Sequence, residues 1–175
     1  MPISQILLPE FDQEMANTRK VLERFPEGKN DYKPHEKSME LGRLAGHVAQ
    51  LPEWATMTLT TDALNMEPGT VKPFIPTSRQ DLLETFDRNV AAARSQIAAA
   101  SDDAFGKVWT VSMSGNPIMS MPRAAVIRGM VMNHLIHHRA QLGVYLRLNN
   151  IALPSTYGPS ADEGAWGGQA QGQGR

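Results

Sequence analysis

The chain has 175 residues, of which 41% are hydrophobic and 20% charged, and its formal net charge is −1. That length and apolar content suit one domain with a single core, and the near-neutral balance excludes the basic footprint of a nucleic-acid binder. The absence of cysteine excludes disulfides, thiolate ligands and a cysteine nucleophile together, so a metal would have to be held by nitrogen and oxygen.

At the N-terminus, Met1 to Glu10 lacks the basic start, long apolar core and cleavage site of a signal peptide. The sequence has no apolar run of about eighteen residues, so no membrane span is expected and a cytoplasmic location is. The first helix is expected from about Pro9 to Arg24, because Phe11, Met15, Thr18, Leu22 and Phe25 recur at spacings of three and four. Pro26-Glu27-Gly28 breaks it, and the Lys33-Pro34 step keeps the chain extended. A second helix should start near Ser38 with Leu41, Leu44, Val48, Leu51, Ala55 and Leu59 as its stripe. Pro52 lacks an N–H and should kink it or end its regular part.

The stretch from Asn65 to Thr77 carries three prolines and reads as a loop. Ser78 is a suitable N-cap for a third helix, with Asp81 in its first turn and Leu83, Phe86, Val90 and Ile97 along its stripe to about Ala100. Between Ser101 and Met121 the pattern is not helical. Val108 to Met113 alternates like a short strand and Ser114-Gly115-Asn116-Pro117 reads as a turn, so a small hairpin or an irregular crossover is expected. The fourth helix should run from about Pro122 to Asn149, since proline suits a first turn. The fold class expected is therefore all-α: four long helices with one elaborated crossover, forming a single domain over residues 1–163. The Gly/Gln-rich tail, 164–175, should be disordered.

Chemistry concentrates in the histidines. His47 lies three residues after Leu44 and four before Leu51, on the apolar face of the second helix. His134 and His138 are four apart on the fourth, with Cβ atoms roughly 5–6 Å apart, so both rings can bite one ion. A third nitrogen from a facing helix would complete a cap of three ligands and leave positions for solvent or substrate. Each feature also has an ordinary explanation: a lone histidine on an apolar face is commonly a buried hydrogen-bonded residue, and a His-x-x-x-His pair is common on helix surfaces. His137 could replace His138 as second ligand. On a helix His138 lies ~40° from His134 and His137 ~60° to the other side, so the His134–His138 pair is the tighter chelate. His137 then has an outer or dimer-facing role, or is a plain surface residue. Gln141, Tyr145 and Trp54 are candidates for lining a pocket beside the ion. Arg139 and Arg147 read as solvated charges and the methionines as gap-filling core. No Ser-His-Asp order, phosphate-binding loop or dinucleotide fingerprint is present.

The segments Ser38 to Ala49, with its Gly46-His47, and Asn133 to Leu142, with His137-His138-Arg139-Ala140-Gln141, resemble the two signatures of the DinB/YfiT-like family, the helical-bundle proteins rather than the polymerase of that name. The ending Leu153 to Glu163 is also similar, and the likeness runs from about Leu8 to Glu163. Ala140 stands where the family's motif has glycine. The resemblance implies a four-helix bundle that dimerises, with a metal triad of His47, His134 and His138. It further implies a thiol transferase using a low-molecular-weight thiol such as bacillithiol, mycothiol or glutathione, or a metal-dependent hydrolase; the rival reading from another class is a non-catalytic metal-binding stress-response protein.

Of these, thiol transfer on a small substrate is the expected function. A metal lowers the pKa of a bound thiol or water, and no carboxylate can be placed as a general base. Glu53 is six residues from His47 and off its face. The cofactor expected is a divalent zinc, nickel, iron or copper ion with a thiol cosubstrate; the partners expected are a small molecule and a second copy of the chain, with neither nucleic acid nor membrane.

Overall fold

The computed structural model describes residues 1–70 and 72–164. In chain order these form α1 (Ile3–Leu22), α2 (Leu41–Gln50), α3 (Glu53–Thr60), β1 (Ala63–Met66), α4 (Arg79–Ala99), α5 (Asp102–Gly106), β2 (Val108–Met113), β3 (Asn116–Pro122), α6 (Arg123–Val126), a π-helical segment (Ile127–Asn133) and α7 (His134–Leu148). The expected tail lies, beyond Gly164, outside the described residues. No helix among the described residues is long and apolar enough to cross a membrane.

The molecule is mostly helical, but it is not all-α. β1 runs parallel to β2, in register from Ala63 opposite Thr110 to Met66 opposite Met113, and β2 pairs antiparallel with β3. The hairpin expected over 108–117 exists, and it turns through Ser114 and Gly115, both at positive φ (48° and 78°), the combination a two-residue hairpin loop demands. β1 falls partly in the expected 65–77 loop. Its four residues alternate exposed and half-buried and are held extended by β2 rather than by any apolar run of their own. Trp109 and Val111 point inward from β2 onto Val126, Trp54 and a methionine-rich surround, making a small second core. The Trp109 indole donates to the Thr61 hydroxyl at 3.0 Å.

Two other expectations shift. α1 starts at Ile3, six residues before the predicted start at Pro9, because the Ile3 N–H donates to the Asp102 carboxylate of α5 at 2.7 Å. A cap supplied from 99 residues away carries no local signature. Pro9 stays inside the helix with its ring exposed, between the buried Leu7 and Phe11. The second expected helix is two helices: α2 ends at Gln50, and Pro52 occupies the N-cap of α3. α4 begins as expected, with the Ser78 hydroxyl accepting from the Asp81 N–H at 3.1 Å.

α1 packs on α4 and α7, and α2 packs on the same two helices, enclosing the main core around Phe11, Leu22, Leu44, Phe86, Leu135 and Leu142. Arg139 does not behave as a surface charge. It is 4% exposed, and its guanidinium donates to the Glu14 carboxylate at 2.8 Å, to the Glu14 carbonyl at 3.1 Å and to the Thr18 hydroxyl at 3.2 Å. The segment after α7 folds back over this pair. The Tyr157 hydroxyl donates to Glu14 at 2.7 Å while its ring lies 5.1 Å from the Arg139 guanidinium carbon. Burial, then the Glu14 carboxylate, raises the Tyr157 pKa. Asp162 and Glu163 hold the segment's end through Arg147 and Arg24.

A buried pair is costly to break because the surviving charge is left without water or partner. Arg139→Met should therefore lower unfolding stability by about 3–5 kcal/mol in urea titrations. Adding Glu14→Leu should restore much of the loss. Equal stability of the single variant and wild type would show that the pair does not join α1 to α7.

Candidate metal site

His47 reaches the site from α2, where Leu44, Val48 and Leu51 are buried beside it and leave its ring as the polar edge of the same face. His134 and His138 come from α7. Its first residue comes directly after the π-helical segment, and such a turn, bonding i to i+5, holds one more residue than an α-turn. Each residue added to a turn rotates the remainder of the helix by about 100°, so this segment determines which side of α7 faces α2.

The three rings converge. Their ligand nitrogens all lie within 4.8 Å of one another. His138 Nε2 is 2.8 Å from His134 Nε2, and His47 Nε2 is 3.5 Å from it. The His138 Nδ1 donates to the Gln141 Oε1 at 2.7 Å, which puts the ring proton on that side and aims the Nε2 lone pair at the other imidazoles.

Burial pushes His47 down to about 4, and the nearby His138, His134 and Arg43 push the same way. His134 is lowered by burial against the Met130 hydrogen bond, and His138 by burial against that of Gln141. Three imidazoles held toward the neutral form, with the His138 Nε2 lone pair turned inward, form a donor set that a divalent cation fits and a proton fits poorly. Among the described residues no carboxylate belongs to the group.

His137 is exposed and outside the group, although its ring centre is 4.8 Å from that of His138. Gln141 orients His138 rather than lining a pocket. Tyr145 is 8% exposed; its hydroxyl donates to the Met39 carbonyl at 3.0 Å and its ring packs edge-on against Tyr32, so it steadies the chain entering α2. Trp54 lines a cleft of about 420 Å³ with His47, Gln50, Glu53, Met57, Leu64, Asn65, Met66 and Thr70. Glu53 thus shares a cleft with His47. Treating 38–59 as one helix put it off the face; the break at Pro52 re-aims α3. A smaller cleft of about 220 Å³ is also lined by His47 and Gln50, together with Met39, Arg43 and Pro73.

The loop leading to α4 closes onto α2 beside these clefts. Gln50 Oε1 accepts from the Phe74 N–H at 3.3 Å, and a Cβ on Gly46 would stand 1.9 Å from the Phe74 carbonyl oxygen. Glycine before His47 is therefore required for that approach.

Known proteins share this architecture. A family model described as the DinB family matches residues 3–173. The chain belongs to the DinB family. Two crystal structures share its fold. A DinB-like protein from Bacillus cereus has a TM-score of 0.64 at 19% identity, covering 86% of this chain and 95% of its own. A DinB-like protein from Bacillus subtilis, YjoA, also has a TM-score of 0.64, at 17% identity over 85% and 95%. No curated protein matches the chain.

Two outcomes test the site. His47→Ala, His134→Ala and His138→Ala should each weaken zinc binding by well over about tenfold, and Gln141→Ala by about 10–100-fold as an outer partner, while His137→Ala changes it little; competition with a chromophoric chelator measures all five. The apo protein should also be acid-sensitive in a defined window. The unfolded His47 takes up a proton near pH 6.5 but the folded one only near 4, so stability is full above about 6.5 and declines as pH falls towards 4. Melting curves of wild type and His47→Ala between pH 4 and 7 should show a steeper acid decline in wild type, and parallel declines would contradict the burial of that ring.

Proposed function

We propose that His47, His134 and His138 hold one divalent metal ion and that this DinB-family protein is a metal-dependent enzyme of the thiol-transferase type. The supporting observation is the donor set itself: three neutral imidazoles, of which His47 also lines two clefts, with no carboxylate among the described residues in the group to close the shell. When bound, the ion would supply acidity to a thiol held against it, making it a nucleophile near neutral pH. The protein's own groups then have assigned tasks. Gln141 fixes the His138 ring, and Trp54, Met57, Leu64 and Met66 give the cleft beside His47 an apolar wall. The chain brings no sulfur nucleophile of its own, since it has no cysteine, in keeping with a thiol that arrives as cosubstrate. A four-helix arrangement working as a homodimer in the cytoplasm completes the proposal. The outer face of α7 supports the dimer, with Val144 58% and Leu148 55% exposed four residues apart.

Metal-dependent hydrolysis is the second reading, favoured by one observation: Glu53 lines the cleft that His47 lines and could serve there as a base for water. The two separate experimentally. Titrating cellular thiols into cobalt-substituted protein should produce a sulfur-to-metal charge-transfer band. No spectral change with any thiol, together with loss of ester hydrolysis in Glu53→Gln, would replace thiol transfer by hydrolysis.

A further inference from the structure

The contacts that bury Arg139 use only part of its guanidinium. Nη1 lies 2.8 Å from the Glu14 carboxylate and donates to the Glu14 carbonyl at 3.1 Å and to the Thr18 hydroxyl at 3.2 Å. Nε and Nη2 make no hydrogen bond to any described residue. Buried donors left unmade are uncommon, because each forfeits its hydration without a replacement. Nor are these two nitrogens sealed in the core, as the Arg123 Nε is. Arg139 lines a cavity of about 170 Å³ between α1, α7 and the returning C-terminal segment, and the walls around it include Val21, Ile136, Gly143, Leu153 and Pro154. The cavity shares no lining residue with the three-histidine group.

Two features mark this space as more than a packing fault. Gly143 sits in the interior of α7, where glycine weakens a helix. Packing does not require it, since a Cβ there would meet no atom within 4 Å; its missing side chain keeps the cavity open. The second feature is charge. Glu14 already balances Arg139, and both side chains are 5% exposed. An anion entering beside them would leave one negative charge uncompensated away from bulk water. A neutral carbonyl oxygen can accept from Nε and Nη2 without that cost, while an alkyl group gains from contact with the apolar walls.

We infer that this cavity is a second binding site, separate from the histidine cluster, and that it takes an uncharged carbonyl compound with a short aliphatic chain. Its size suits about six non-hydrogen atoms, since an apolar cavity of about 150 Å³ takes one benzene molecule. The carbonyl oxygen is held by Arg139, and the chain lies against Val21, Ile136, Leu153 and Pro154.

The test compares 3-methylbutan-2-one with isobutyrate, which have nearly the same size and shape and differ in charge. Each is titrated into the nitrogen-15-labelled full chain at neutral pH while the Arg139 Nε–H signal is followed. The ketone should move that signal saturably, and isobutyrate should bind at least about tenfold more weakly. Gly143→Leu, which fills the cavity, should melt no lower than wild type and weaken ketone binding at least about tenfold. The double variant Arg139→Met with Glu14→Leu, which removes the donors together with their counter-charge, should also bind the ketone about tenfold more weakly. Absence of a saturable shift in wild type, isobutyrate binding as tightly as the ketone, or wild-type ketone binding in Gly143→Leu would overturn the inference. Movement of the histidine ring signals in place of that of Arg139 would overturn it too, by putting the ketone at the other site.

Discussion

Three imidazoles cannot be packed with their ring nitrogens within 4.8 Å unless each gives up its affinity for protons. A charge on any one disfavours a charge on the others, and the low-dielectric surroundings disfavour all of them. The molecule meets this constraint through burial, while the hydrogen bond that His138 Nδ1 donates to Gln141 fixes that ring's orientation and partly opposes the burial. The result is a cluster of three imidazoles held toward their neutral forms, a donor set compatible with a divalent cation. The predicted acid sensitivity and the proposed metal binding both descend from that arrangement.

The fold serves to hold α7 in one rotational setting against α2. The π-helical segment determines the phase of α7 where it begins, at His134. The Arg139–Glu14 pair anchors its opposite face to α1, one residue beyond His138, and Tyr157 covers the pair. On the α2 side the Phe74 carbonyl occupies the space a side chain at 46 would need, so the loop and the helix carrying His47 are locked together. Side chains that never approach the clefts thus control the ring positions. A shift of α7 by a single residue would turn His134 and His138 by about 100° and dismantle the site.

Much of this is legible in the sequence, for physical reasons. Apolar spacing of three and four marks helices wherever one face is buried, as it does for Leu41, Leu44 and Val48 and for Phe86 and Ile97; the expected Leu83 and Val90 are only half-buried, and Leu82 takes the core position instead. The i, i+4 spacing of His134 and His138 translates directly into adjacent rings. The unread parts depend on distant partners. The start of α1 rests on Asp102, β1 on its neighbour β2, and the burial of Arg139 on Glu14; none of these leaves a local trace. The membership of Glu53 in the cleft depends on how far the chain bends at Pro52, which the proline announces without giving a direction. The π-helical segment is the hardest case, because Ile127 to Asn133 reads as ordinary amphipathic helix and its extra residue per turn arises from packing.

The most direct measurement is the long-range proton–nitrogen NMR spectrum of the histidine rings during a zinc titration at neutral pH. A single three-histidine site predicts that the Nε2 signals of His47, His134 and His138 move together and saturate at one equivalent, that His138 keeps its proton on Nδ1 throughout, and that His35 and His137 stay in place. Saturation at one equivalent through His137 in place of His138, or movement of fewer than three rings, would contradict it.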